Sequence, residues 1–168
     1  MQLGLDISTT TVGYALVTKT KIETIGFVDL KKYKDLSEKA WHLYNTICDL
    51  IEFSKVKNII VEDSLSGFSR GRTSQQTIIK LAKFNAIVCF LFEHQLNQKP
   101  ILVNATTARK QLFGKSRVKG LTAKEFVKEQ IEKRYDLKKY MKITRTGLWD
   151  KRNMDSLDAL VVAKYLLP

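Results

Sequence analysis

The sequence predicts an α/β fold in which helices cover one mixed β-sheet. Two observations support this prediction. The N-terminal part, up to Leu30, contains three apolar segments separated by short turns, which is typical of an antiparallel meander. Beyond it, helical patterns alternate with two short apolar runs, in the order βββαβαβ followed by further helices. This order is typical of a single sheet with helical layers.

The first three strands are predicted at residues 3–7, 13–18 and 22–30. In the first of them, large apolar residues alternate with small or polar ones, so Asp6 lies on the face opposite to the apolar side chains. Asp is depleted within strands. Asp6 is therefore a candidate functional residue.

An amphipathic helix follows and leads into a fourth strand. Asp35 and Glu38 predict a capping box, after which apolar residues recur at helical spacing as far as Ile51. Residues 58–62 form an apolar run without alternation, as expected of an interior parallel strand that is covered on both faces. Glu62 ends this run, at the strand end where open α/β sheets place their ligands.

A long helix follows a loop that contains basic and aromatic residues. The loop spans residues 63–72, and Thr73 with Gln76 predicts the start of the helix. Between residues 78 and 92 the helix is apolar nearly all round. Such a helix must be buried against the sheet on one side and against something else on another, and a second subunit is one candidate.

One more strand and a helix pair follow. Residues 100–103 predict a short buried strand, and Thr106 predicts the cap of a brief helix that ends near Gly114. Thr122 and Glu125 predict a capping box for the next helix.

The last part of the chain begins with an irregular segment. Residues 136–152 show little pattern and many positive charges, and Asn153 predicts the cap of a final helix over 154–167. Because no repeat, low-complexity tract or linker interrupts the chain, we expect one domain over residues 1–168.

Charge provides the first indication of a partner. The chain carries 29 Lys and Arg against 17 Asp and Glu, a net charge of +12. Residues 99–152 hold 16 basic and 5 acidic side chains, so almost the whole excess lies there. Such a patch suits a polyanion, and nucleic acid is favoured over a membrane because no basic amphipathic anchor accompanies it. A solvated basic surface without a partner is the alternative.

Composition excludes other classes of protein. Apolar residues make up 44% of the chain and the mean hydropathy is -0.19, which argues against disorder and against a membrane protein. The opening residues lack the basic start and apolar run of a signal peptide. Cys48 and Cys89 lie in helical patterns expected of reduced core thiols. We therefore expect an intracellular protein, cytoplasmic or associated with a nucleoid or organelle, and not a secreted one.

Four carboxylates occupy positions where a structural role is hard to assign. Asp6 lies inside the first strand, and Glu62 ends the fourth. Asp155 and Asp158 lie near the start of the last helix, and their i, i+3 spacing places them on one face. Parallel pairing of the first and fourth strands would also bring Asp6 beside Glu62. Taken alone, each residue has a structural alternative, such as interaction of Asp155 with the helix dipole.

A cluster of these carboxylates predicts bound divalent metal. Carboxylates that lie close together repel one another and raise one another's pKa unless cations lie between them. Oxygen ligands favour Mg²⁺ or Mn²⁺ over Zn²⁺. Two such ions can activate a water and stabilise the leaving oxygen of a phosphodiester. Nuclease chemistry would explain both the acidic centre and the basic surroundings.

Several segments of the chain also form a recognisable series. They are Gly-Leu-Asp-Ile-Ser at 4–8 with Gly-Tyr-Ala at 13–15, Ile-Val-Glu at 60–62, the helix within 72–91, the basic segment 106–125, and Asp-Ser-Leu-Asp-Ala-Leu at 155–160. In order and separation they resemble the motifs of RuvC-like Holliday junction resolvases of the RNase H-like superfamily. The resemblance covers nearly the whole chain.

The resemblance implies an RNase H-like fold and a junction-resolving nuclease. The fold is a five-stranded mixed sheet, with the first three strands antiparallel, the next two parallel to the first, and helices on both faces. The activity is Mg²⁺-dependent, paired nicking of four-way DNA by a homodimer. Asp6, Glu62, Asp155 and Asp158 would be the catalytic and metal-binding residues, with two Mg²⁺ ions per site and Mn²⁺ able to substitute. No membrane and no small-molecule cofactor is expected.

The resemblance also suggests which residues contact DNA and the second subunit. The candidate DNA-binding residues are Phe68, Arg70, Arg72, Arg109, Lys110, Lys115, Arg117 and Lys119. The candidate dimer-interface residues are Ile78, Ile79, Leu81, Ala82 and Ala86. Phe68 is the nearest aromatic residue after Glu62, whereas the family often places one sooner.

Other functions stay open. An RNase H-like nuclease acting on RNA or on other branched DNA would carry the same carboxylates. The run Asp-Ile-Ser-Thr-Thr-Thr at 6–11 resembles the first phosphate loop of actin-type and sugar-kinase-type ATPases, but those folds need two lobes and the 168 residues supply one. An inactive nucleic-acid-binding module fits less well with four retained acidic positions.

Overall fold

The structure is a computed structural model that describes residues 1–63 and 74–167. Within this part of the chain, five strands form one sheet in the order β3-β2-β1-β4-β5. The strands are β1 (Gln2–Ile7), β2 (Thr11–Val17), β3 (Ile22–Asp29), β4 (Asn58–Glu62) and β5 (Ile101–Val103). The first three strands are antiparallel, and β4 and β5 run parallel to β1. The expected mixed sheet is confirmed.

Helices cover both faces of this sheet, as predicted. They are α1 (Leu36–Leu50), α2 (Gln75–Leu96), α3 (Ala105–Phe113), α4 (Ala123–Glu132) and α5 (Asn153–Lys164). Side chains of α1 and α2 pack with Leu3 and Leu5 on one face. Those of α3, α4 and α5 pack with Ala15 and Ile60 on the other. Of the helices in the described ranges, none is long and apolar enough to cross a membrane.

The predicted cap residues of α1 and α4 are confirmed, although at α1 the Glu38 side chain does not complete the predicted capping box. Asp35 accepts hydrogen bonds from the backbone N–H groups of Ser37 and Glu38. Thr122 and Glu125 form the predicted capping box at the start of α4. Both caps fix the first turn of a helix that packs on the sheet.

The predicted caps of α2 and α3 are wrong. The cap of α2 is Ser74, whose side chain accepts from the backbone of Thr77; the predicted Thr73 lies outside the described residues. The cap of α3 is Asn104 and not Thr106, because the Asn104 side-chain oxygen reaches two free N–H groups, including that of Thr106 itself.

Two other differences arise from tertiary structure. The strand predicted as buried is β5, which lies at the edge of the sheet, so Leu102 is 55% exposed. Asn153 is not a cap but the first residue of α5, and it is buried. Its side chain hydrogen-bonds to both the backbone N–H and the carbonyl of Lys142. Because its amide is hydrogen-bonded to Lys142, the Asn153 side chain is not available to cap α5.

Glycines allow α5 to lie directly against the sheet. A Cβ atom at Gly4 would lie 2.3 Å from the carbonyl oxygen of Ala159, and one at Gly13 would lie 2.0 Å from that of Asp155. Neither position has room for a side chain. Because Gly13 pairs with Asp6 across β1 and β2, this close approach places the start of α5 beside Asp6.

Candidate active site

Asp6 and Glu62 lie on adjacent strands at one end of the sheet. Leu5 pairs with Val61 in the parallel β1–β4 ladder, so Asp6 and Glu62 are the next residues on the two strands. Leu5 and Val61 belong to the core under α1 and α2. Since side chains alternate along a strand, Asp6 and Glu62 face the side of the sheet that α5 covers.

The start of α5 adds two more carboxylates to this place. Asp155 lies in the first turn of α5, and Asp158 follows one turn later and is buried. The carboxylates of Glu62, Asp158 and Asp155 all repel the charge of Asp6. The structure thus brings together the four carboxylates that the sequence singles out, from β1, β4 and α5.

Burial and mutual repulsion disfavour the ionised form of these carboxylates. Burial raises the pKa of Asp6 well above its ordinary value, and repulsion from Glu62, Asp158 and Asp155 raises it further. Burial, followed by repulsion from Asp158, raises the pKa of Glu62 to about 7. Burial also raises the pKa of Asp158, against the opposing effect of Arg109. A cation in this place would be favoured.

Two basic side chains contact the cluster. Arg109 of α3 donates a 3.1 Å hydrogen bond to Asp158, and both side chains are largely buried. Lys124 of α4 donates a 2.7 Å hydrogen bond to Asp155. Sequence reasoning placed Arg109 among DNA contacts and did not single out Lys124. The only sequence signal for Lys124 is its place in the first turn after a capping box, inside the most basic part of the chain.

The residues present fit a divalent ion that prefers oxygen ligands. The donors are carboxylates without sulfur or imidazole partners. Burial and mutual repulsion raise the pKa values of Asp6 and Glu62, so a bound cation would stabilise their charged forms. Among residues 1–63 and 74–167, no three His, Cys, Asp or Glu side chains form a ready-made ion cage. Lys124 and Arg109 instead engage one oxygen each of Asp155 and Asp158. Each of these two carboxylates therefore keeps one oxygen that the cations do not engage.

Asn85 of α2 is a supporting residue that sequence reasoning did not select. It is buried, and its side-chain amide donates a 3.2 Å hydrogen bond to the backbone carbonyl of Glu62. Cys89, one turn further along α2, contacts the other side of the amide. A buried Asn in an otherwise apolar helix was the available signal. The bond ties α2 to the end of β4 where Glu62 lies.

Apart from Arg109, the predicted DNA-binding residues fall into two groups. Phe68, Arg70 and Arg72 lie outside the described residues. Lys110, Lys115, Arg117 and Lys119 are exposed along α3 and the connection from α3 to α4. This connection joins the two helices that carry Arg109 and Lys124. Its positive charge therefore lies close in sequence to the two cations that contact the carboxylates.

The predicted dimer residues lie on α2, and part of that helix is open to solvent. Ile79 is 54% exposed and Phe90 is 66% exposed, and Ala86 lies between them on the same exposed stripe. The remaining predicted residues, Ile78, Leu81 and Ala82, are half-buried. The opposite side of α2 packs on the sheet through Phe84, Val88 and Phe92.

Comparison with solved structures agrees with this architecture. A structure of T. thermophilus RuvC in complex with a Holliday junction substrate matches with a TM-score of 0.61 and 10% identity, over 98% of this chain and 92% of that chain. A second Thermus thermophilus RuvC structure matches with a TM-score of 0.61 and 13% identity, over 98% of this chain and 93% of that chain. This chain has the RuvC fold. Neither the protein-family models nor the curated proteins provide a match.

The RuvC fold explains why distant parts of the sequence meet. β1 and β4 are neighbours in the middle of the sheet, and α5 contacts both of them. Residues from the beginning, middle and end of the chain therefore meet at one end of the sheet. A site built on two central strands and a tightly packed helix is held more rigidly than one built on loops.

Proposed function

We propose that this protein is a structure-selective endodeoxyribonuclease that resolves four-way (Holliday) DNA junctions by paired, metal-dependent hydrolysis of phosphodiester bonds. The convergence of Asp6, Glu62, Asp155 and Asp158 at one end of a RuvC fold is the observation that supports this most directly. The net charge of +12 suits a DNA partner, since phosphate contacts supply much of the affinity for DNA.

In this proposal the four carboxylates hold two Mg²⁺ ions, for which Mn²⁺ can substitute. Ions held there would supply a lowered pKa for an attacking water and stabilisation of the leaving oxygen. Asp6 and Glu62 provide ligands fixed on strands, whereas Asp155 and Asp158 provide ligands fixed on a helix. Water attacks phosphorus, the bond to the 3′ oxygen breaks, and a 3′-hydroxyl is released.

Arg109 and Lys124 are positioning residues in this scheme. Each holds a helix carboxylate by a direct hydrogen bond, and each is a cation at the place where a phosphate must approach. Their charge offsets part of the repulsion between the acidic cluster and the DNA backbone. They have no covalent role.

The surfaces around the site would bind two partners, DNA and a second copy of the chain. Lys110, Lys115, Arg117 and Lys119 would contact phosphates, together with Arg70, Arg72 and Phe68. A homodimer through Ile78, Ile79, Leu81, Ala82 and Ala86 would place two sites around a two-fold axis. Because isologous contacts repeat on both subunits, such a dimer matches the symmetry of a four-way junction and makes paired nicks possible.

The decisive experiment is incubation of the protein with an end-labelled synthetic four-way junction, with and without Mg²⁺. We expect two symmetric nicks that need the metal and are lost in Asp6→Asn. The matched control is Asp49→Asn, which neutralises an exposed carboxylate on α1 and should cleave like the wild type.

Substrate comparison separates this proposal from its alternatives. Linear duplex, an RNA/DNA hybrid and single-stranded RNA are incubated under the same conditions. Preferred cleavage of the hybrid or of RNA would overturn the assignment as a junction resolvase while keeping the metal site. Absence of any Mg²⁺-dependent cleavage would overturn the nuclease assignment itself.

A further inference from the structure

The segment between α4 and α5 forms a hairpin that the catalytic proposal does not use. Ile143 and Trp149 form an antiparallel bridge, and the backbone N–H of Thr144 donates to the carbonyl of Leu148 across 2.7 Å. Gly147 takes the positive φ that closes the turn. We call residues 142–150 the hairpin.

The base of the hairpin is fixed to the core. Asn153 is buried and hydrogen-bonds to both backbone groups of Lys142. Arg152 forms ion pairs with Asp150 and with Asp29 of β3. The hairpin is therefore attached to both α5 and the sheet, and its orientation relative to the carboxylates is defined.

The hairpin nevertheless presents apolar side chains to solvent. Ile143 is 64% exposed and Leu148 is 68% exposed. Arg145 lies between them in the sequence, and Lys142 and Lys151 flank them. Exposed aliphatic groups beside cations on an anchored element make this surface a candidate for contact with a partner.

A cavity of about 820 Å³ lies between the hairpin and the end of α4. Its lining includes the rings of Tyr135 and Trp149, the apolar side chains of Met141 and Ile143, and the basic side chains of Lys133 and Lys138. Its volume is within the range of small-molecule sites. The combination of aromatic surface and ammonium groups is that of sites for unpaired nucleotides.

The lining of the cavity carries three basic side chains, Lys133, Arg134 and Lys138, against two acidic ones, Glu132 and Asp136. Among its acidic residues, Asp136 already accepts from the backbone N–H of Lys138, and Glu132 lies 3.9 Å from the ammonium of Lys128. The side chains of Lys133 and Lys138 form no ion pair with any residue in the described ranges. Positive charge in the cavity is thus available to a ligand.

Helix α4 links the cavity to the candidate active site. Lys124 contacts Asp155, and Lys128, one turn further on, lies 4.7 Å from the centre of the Trp149 ring. A rise of about 1.5 Å per residue places Lys133 roughly 13 Å along the axis from Lys124. That distance corresponds to about four nucleotide steps of a DNA strand at ~3.4 Å each.

We propose that this cavity binds an unpaired nucleotide of the DNA strand that passes the carboxylates, about four positions from the scissile phosphate. The base stacks on Trp149, and Lys133 and Lys138 contact the flanking phosphates. The distance from the scissile phosphate rests on the proposed function, whereas nucleotide binding in the cavity does not. A branch point, where bases leave the duplex stack, would supply such a nucleotide.

The test uses Trp149 as its own reporter, in the full chain and without divalent metal. Trp41→Phe removes the other tryptophan, which lies on α1. A short oligothymidylate labelled with a dye outside the indole emission range is added, and its binding is followed by anisotropy while Trp149 emission is recorded. We expect emission to be quenched in step with binding.

Lysine variants then assign the contacts. Replacing Lys133 and Lys138 with Ala together should weaken binding and reduce the slope of log affinity against log salt by about 1.4, or ~0.7 for each lost phosphate contact on single strands. The matched control replaces Lys55 and Lys57 with Ala, two exposed lysines before the start of β4, at the end of the sheet opposite to Glu62. This control should change neither the slope nor the quenching.

The outcomes separate the two proposals. Binding without quenching, no binding at all, or equal slopes for the two double variants would overturn the nucleotide site, and a protein partner would then be the better occupant of the cavity. Quenching without Mg²⁺-dependent junction cleavage would support the nucleotide site and count against the proposed nuclease. Junction cleavage without quenching would support the proposed nuclease and overturn the nucleotide site.

Discussion

Lys124 of α4 donates a 2.7 Å hydrogen bond to Asp155 of α5 and so places a positive charge at the edge of a cluster of four carboxylates. Removing this charge should leave Asp155 free and uncompensated. We expect Lys124→Gln to bind Mg²⁺ roughly two- to fivefold more tightly, in line with the small worth of a half-exposed ion pair. Junction cleavage should fall, because Asp155 and the phosphate lose their cation.

Calorimetric titration of Mg²⁺ into the metal-free protein measures the first effect. The matched control is Lys128→Gln, one turn further along α4, where the ammonium lies over Trp149 instead of contacting a site carboxylate. Equal or weaker Mg²⁺ affinity in Lys124→Gln would show that Lys124 does not compete with metal for Asp155.

Asp6 should be necessary for cleavage and unfavourable for stability. Burial and three neighbouring carboxylates raise its pKa, so the charged form destabilises the metal-free fold at neutral pH. Asp6→Asn should abolish cleavage, preserve or tighten junction binding, and raise the free energy of unfolding at pH 8 by roughly 1 kcal/mol or more. Urea unfolding with EDTA measures the last effect, with Asp49→Asn as the neutral control. Lower stability in Asp6→Asn would contradict this account.

Local patterns located the strands and singled out the four carboxylates. The alternation in β1 placed Asp6 opposite the core, and the continuous apolar run of β4 ended at Glu62. The i, i+3 spacing placed Asp155 and Asp158 together. Each of these inferences depends only on residues close in sequence and on the geometry of one element.

The cations of the site depend on contacts that no local pattern contains. Arg109 and Asp158 are 49 positions apart, and Lys124 and Asp155 are 31 apart. Their pairing follows from the packing of α3 and α4 against α5. For the same reason the exposure of Leu102 was mispredicted, since an apolar run does not reveal whether its strand lies inside the sheet or at its edge.

The stability of the metal-free protein should fall as the pH rises from about 5 to 8. The pKa of Glu62 is about 7 in the folded chain and ~4.3 in an unfolded one. Between these values the folded state binds more protons, so the stabilisation is fully present below the unfolded pKa and is lost as the pH passes the folded one. Asp6 and Asp158, whose pKa values are also raised, act in the same direction.

Chemical denaturation at several pH values with EDTA measures this dependence, and Glu62→Gln should flatten it. Added Mg²⁺ should restore stability most at the high end of the range, where the carboxylates are charged. If the stability of the wild type stayed constant or rose between about pH 5 and 8, other groups of the protein would have to neutralise the negative charge of the cluster.

Gly13 should not tolerate even alanine. A Cβ atom there would lie 2.0 Å from the backbone carbonyl of Asp155, so the start of α5 must move away from the sheet. We expect Gly13→Ala to cost about 1–3 kcal/mol of stability and to remove cleavage even where the protein stays folded. Gly26→Ala is the control, because its nearest neighbour is the end of the Tyr14 side chain. Normal cleavage by folded Gly13→Ala would show that activity does not depend on the position of Asp155.

The exposed stripe of α2 should determine the oligomeric state. Ile79 is 54% exposed in the single chain, so a charge there costs little in the monomer but much in a dry interface. Ile79→Glu should therefore give folded monomers that bind a junction weakly and no longer nick it in pairs. Leu50→Glu, at an equally exposed apolar position at the end of α1, should remain dimeric. Light scattering measures the mass of each variant, and a dimeric Ile79→Glu protein, or a monomeric wild type, would exclude this face as the dimer interface.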